Sequence, residues 1–190
     1  MASATGRNLL ELIDGADERG LAAAGLACLD RCLPLLTGDG CDALRPVWAA
    51  VARGDGAAWG EAVAKARVEL DGAGGADGTE EARAVRGMLA EAPAAWSADA
   101  LRAWTADCSV TALALHGRYD AADVPDGLVE RCRAGDADGA GPLLAGELRR
   151  QQAVLETVAH GPTGLRRARE LSVEGGRVLR AVVSRRARTV

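Results

Sequence analysis

SADALRAWTADCSVTALALHGRYD, residues 97–120, is the longest clean helical pattern in the chain. On a wheel of about 100° per residue, Leu101, Trp104, Cys108, Ala112, Leu115 and Tyr119 share one apolar face. Val110 and Leu113 point nearly opposite. A helix apolar on two sides is expected inside a bundle, not on its surface. Between those sides runs a polar column of Arg102, Thr105, Ser109 and His116.

Outward from this segment the chain keeps the same grammar. Short apolar runs of helical period are separated by Gly, Asp and Pro, and no alternating strand pattern stands out. Asp17, Asp55, Thr79 and Ser97 are placed to cap helices. Pro46 sits in a first turn, where it is tolerated, and Gly54 ends that helix. The reading is all-α, an irregular bundle of about eight helices in a single domain over residues 1–190, with the 97–119 helix central. A Gly-rich linker is expected near 71–78, and a basic C-terminal helix over 165–188. Two stretches, "PVWAAVARGDGAAWGEAVAKA" and "PDGLVERCRAGDADGAGPLLAG", share the order Pro, short helix, Gly-Asp, helix. This admits a helical-hairpin, repeat-like architecture.

Composition sets bounds on function. Of 190 residues, 48% are apolar and 26% charged, ordinary values for a folded domain. There is no Phe, so the core must come from Leu, Val, Ala and the four Trp. Basic residues are almost all Arg, a usage that suggests a GC-rich coding genome of bacterial type. The N-terminus lacks a signal-peptide pattern, and no uncharged run of about 18 residues predicts a membrane span. The expected location is cytoplasmic. The net charge of −4 argues against nucleic acid. The charge is uneven: from Leu165 to Val190 eight Arg stand against two Glu, a net +6, leaving −10 on the rest.

Chemical motifs are sparse. Cys28, Cys32 and Cys41 are spaced C-x3-C and C-x8-C with no His nearby, which fits no common zinc or iron–sulfur pattern. Cys28 and Cys32 fall on an apolar helix face and read as core, so neither metal nor cofactor is expected. Glu156 and His160 are four apart, without the repeated Glu-x-x-His of a di-iron bundle. Gln151 lies on an apolar side and needs a partner from a neighbouring helix or the rim. In the C-terminal helix, Leu165, Ala168, Leu171, Gly175, Leu179, Val182 and Val183 form an apolar side. Arg166, Arg169, Arg177, Arg180 and Arg188 form a stripe opposite it.

Two functional expectations follow. The first is a non-enzymatic protein acting through protein–protein interaction or regulation, its basic C-terminal helix meeting an acidic partner or a second copy. The second is a small-molecule-binding protein or enzyme whose pocket is lined by the Arg102, Thr105, Ser109 and His116 column.

Overall fold

The computed structural model describes residues 6–37, 41–73 and 78–188. Residues 74–77 of the linker expected near 71–78 lie outside them, and 71–73 are helical instead. Among the described residues the secondary structure is helix without strand. In chain order the helices are α1 (Leu9–Asp14), α2 (Glu18–Cys32), α3 (Pro34–Thr37), α4 (Arg45–Arg53) and α5 (Gly56–Ala73). They continue with α6 (Glu80–Ala90), α7 (Ala98–Gly117), α8 (Leu128–Arg133), α9 (Pro142–Val158) and α10 (Gly161–Ala187).

Local chemistry sets most of these ends. Asn8 and Glu11 close a capping box on α1. The side chains of Asp17, Asp55 and Thr79 accept from the amides of Gly20, Ala58 and Ala82 at 2.8, 3.0 and 3.2 Å. Gly54 ends α4 in the left-handed region, φ 62°, where side chains are disfavoured. Ser97 occupies the N-cap of α7 but makes no side-chain capping bond. The helical pattern from Glu18 to Leu36 divides at Leu33 because Pro34 has no amide hydrogen to continue the ladder. The last helix begins at Gly161, four residues earlier than expected, because Pro162 fits its first turn.

Helix α9 takes its cap from a distant residue. Its N-cap is Gly141, which has no side chain to give. The buried Asp120, just past α7, instead accepts from the amides of Leu143 at 2.8 Å and Leu144 at 3.0 Å. Arg67 does the reverse job on α6, donating to the Leu89, Ala90 and Ala92 carbonyls.

The bundle is organised around α2, not α7. Helix α2 packs against α7, α9, α10 and α4. It is buried almost all round, from Gly20 to Leu29 and again at Arg31 and Cys32. Small residues explain this: Ala22, Ala23, Ala24, Gly25 and Ala27 let several helices approach one axis. Helix α7 lies beside it, in contact with α2, α9, α6, α1 and α8. By length and composition alone, Glu18–Thr37 could cross a membrane, which the sequence reading had set aside. Here it is mostly buried among the other helices.

Tryptophans fill the space that Phe would otherwise take. Trp59 meets Trp96 and Trp104 edge-on, each with ring centroids 5.6 Å apart. Trp104 donates to the Met88 carbonyl at 2.8 Å, and Trp59 to the Pro93 carbonyl at 2.7 Å. The two Gly-Asp connections do not build the same unit. Helix α4 packs back on α5, whereas α8 packs on α7. Residues 134–141, with Gly135 and Gly139 at positive φ, separate α8 from α9.

Candidate functional site

The polar column of α7 does not surround one pocket. Thr105, Ser109 and His116 are buried, whereas Arg102 lies at the surface and pairs loosely with Asp99 at 3.4 Å. Thr105 donates to the Leu21 carbonyl at 2.8 Å, tying α7 to α2. Ser109 donates to Gln151 Oε1 at 2.7 Å, and Gln151 Nε2 donates to Glu147 Oε1 at 2.9 Å. The buried amide thus finds its partners on α7 and on its own helix.

These groups belong to an ionic centre that pattern reading missed. Arg31 and Glu147 both have fully buried side chains. The guanidinium grips the carboxylate with two bonds, Nε to Oε2 at 2.8 Å and Nη2 to Oε1 at 2.6 Å. Such a paired fork is the strong form of this contact. His116 stands on the third side, its Nε2 3.6 Å from Glu147 Oε2 and its Nδ1 2.8 Å from the Ala112 carbonyl. Burial alone would push the Glu147 carboxyl up. Arg31, then His116, outweigh it and hold Glu147 below the usual carboxylate range. Among the described residues, Arg31 Nη1 and His116 Nε2 have no hydrogen-bond partner.

This centre is not arranged as a nucleophile and base. Ser109 is bonded to Gln151, while the imidazole faces Glu147. Cys28 and Cys32 lie in the same core, and burial pushes the Cys28 thiol up to about 12 and Cys32 well above its ordinary value. A thiol so held stays protonated and inert. Among the described residues no cluster of His, Cys, Asp or Glu is placed to hold a metal.

The arginine stripe presents a different situation. Helix α10 is fixed by its apolar side: Leu165, Ala168, Gly175 and Leu179 are buried against α9 and α2. Its far end is pinned by Arg186, which donates to the Arg118 and Asp120 carbonyls and lies over the Tyr119 ring. Arg166, Arg169, Arg177 and Arg188 are exposed, and Arg180 is half-buried. Among the described residues none of these five has a carboxylate within 4.0 Å; the ion pair within this helix is Arg167 with Glu170. Arg180 Nε is buried and, among the described residues, has no hydrogen-bond partner.

Four of the five line adjoining depressions. Arg166 and Arg169 border a cleft against α4, and with Arg177 they border the next one, beside Glu170 and Glu174. Arg177 and Arg180 then line a third, of about 370 Å³, against the α2–α3 junction. Arg188 does not line these three. Asp30 sits in the third depression and, among the described residues, accepts no hydrogen bond from the arginines. Its carboxylate accepts from Trp48 Nε1 at 2.9 Å, and burial pushes its carboxyl up despite that bond and the charges of Arg31 and Arg169. Compared with known proteins, the chain significantly matches no family model, no curated protein and no solved structure.

Proposed function

We propose that this is a non-enzymatic, cytoplasmic binding protein that docks an acidic protein segment along the arginine face of α10. One observation carries the reading: Arg166, Arg169, Arg177 and Arg180 line connected depressions on a firmly anchored helix and have no internal carboxylate partner among the described residues. Guanidinium groups bind carboxylates in paired fashion. The bonding of Ser109 to Gln151 in place of His116 favours this reading over the pocket enzyme.

The test is a labelled peptide of Asp and Glu, titrated by fluorescence anisotropy against wild type and against Arg166, Arg169, Arg177 and Arg180 all changed to Gln. The wild type should bind, more weakly as salt rises, because exposed charges are screened over about 8 Å at physiological ionic strength. The quadruple variant should fold and lose binding. Equal binding by both would place the recognition surface elsewhere.

A further inference from the structure

Resting on that docking reading, we propose that the cleft between α4 and the start of α10 is an anchor site. It takes one large apolar side chain of the acidic segment, flanked in the segment by carboxylates.

The cleft exists because the two helices have other commitments. Helix α4 packs on α5 and α2, and α10 packs on α9, α2 and α3. Between them is a cavity of about 280 Å³. Trp48 and Leu165 form its apolar floor, and Ala49 and Ala52 give it short walls. The one polar atom of Trp48 is already bonded to Asp30, so the indole offers the cleft an apolar surface.

The rim has the opposite chemistry. Arg45, Arg166 and Arg169 border the cleft, all exposed and, among the described residues, without a carboxylate within 4.0 Å. An apolar recess ringed by three cations suits a side chain that enters while neighbouring carboxylates meet the rim. It would not accept a bare acidic run equally well, since nothing would then cover the floor. It would not suit a flat apolar surface either, because the recess is concave and Val173 is the exposed large apolar side chain of α10.

The surface therefore has a direction. The anchor lies at the N-terminal end of α10, and the charge-only contacts of Arg177 and Arg180 lie further along. At 1.5 Å per residue, Leu165 and Arg180 are about 22 Å apart along the helix. The segment that fits has its apolar residue near one end and acidic residues over the remaining length. An amphipathic helix of about fifteen residues spans this distance.

Two labelled helical peptides of about fifteen residues and equal net charge decide the matter. One carries a single Trp near its end among Glu residues; the other has Ala there. Wild type should bind the Trp peptide roughly tenfold more tightly, the effect of burying one large apolar side chain. Ala52→Trp, at an exposed position, should keep its melting temperature, erase that preference and still bind the Ala peptide. Equal affinity of wild type for both peptides overturns the anchor and leaves the docking reading standing. Failure of both peptides to bind wild type overturns the docking reading as well. Sedimentation showing that the protein alone dimerises, and that Ala52→Trp abolishes the dimer, would make a second copy the occupant and overturn the acidic-segment assignment.

Discussion

At the scale of single residues, the Arg31–Glu147 pair carries the largest stake. Both side chains are fully out of water, so each charge depends on the other. Glu147→Gln leaves a buried guanidinium without its counter-charge and should cost about 3–5 kcal/mol in denaturant melts at neutral pH. Replacing both partners, Arg31→Met with Glu147→Leu, should recover most of that loss, because an apolar pair of similar volume carries no desolvation cost. The pH dependence has a definite sign. Glu147 is held below its ordinary value in the folded state. Its contribution is therefore complete above the usual glutamate range, near ~4.3, and disappears as pH falls through its own lower value. The gap between wild type and Glu147→Gln should narrow on acidification, and a gap unchanged by acid would contradict the pairing. Pattern reading could find Gln151, whose apolar neighbours marked it as a buried amide. It could not find this pair. Arg31 falls off the apolar face of its helix in the pattern, nothing in the pattern singles out Glu147, and 116 positions of sequence separate them.

At the scale of elements, α10 shows what small residues do. Gly175 and Gly176 stand adjacent in a helix that runs unbroken through them. Their roles differ. A methyl group on Gly175 would run into Arg31 Cδ and come within 3.0 Å of Arg150 Cδ, and Arg31 cannot yield because Glu147 holds it. A methyl group on Gly176 would meet its neighbours at 3.7–3.9 Å, ordinary contact. Gly175→Ala should therefore destabilise by about 1–3 kcal/mol, the usual cost of overpacking. Gly176→Ala should stabilise by up to about 1 kcal/mol, the helix-propensity gain of Ala over Gly. Thermal melts of the two variants should move in opposite directions, and equal shifts would mean that the α2–α10 crossing is misplaced. Two adjacent glycines within a helical pattern fit either a break or a close crossing, and the structure has the crossing, between Gly175 and Arg31. The starts of α2, α5 and α6 were legible because Asp17, Asp55 and Thr79 cap their own helices; the capping box of Asn8 and Glu11 was not read. The start of α9 was legible in Gly141 and Pro142, but its cap was not, because that comes from Asp120 on another element.

For the whole molecule, the fold class was written in the helical period, but the centre of the bundle was not. Helix α7 looked central because its apolar residues are large and fall on two sides. Helix α2 holds the centre because its residues are small, and small residues give only a faint pattern. Trp104 shows the relation between the two, since a methyl group on Gly25 would lie 2.5 Å from its ring. The same logic fixes the status of α10. Its apolar side covers α2 and α9, above the buried Arg31–Glu147 centre. The helix is thus part of the core as well as the bearer of the arginine face. A chain ending at residue 160 would uncover the apolar faces of α2 and α9 and let water reach the ion pair. It should keep much of its far-ultraviolet helical signal but lose cooperative unfolding and bind a hydrophobic dye, as a collapsed state without fixed packing does. A shortened chain that melts sharply and excludes the dye would show that α10 is an appendage. If the truncation does loosen the core, loss of binding in that chain reports lost structure and says nothing about recognition. The arginine face must then be tested by substitution in the full chain, where Arg166, Arg169, Arg177 and Arg180 can lose their charge while Leu165, Ala168 and Leu179 keep the helix in place.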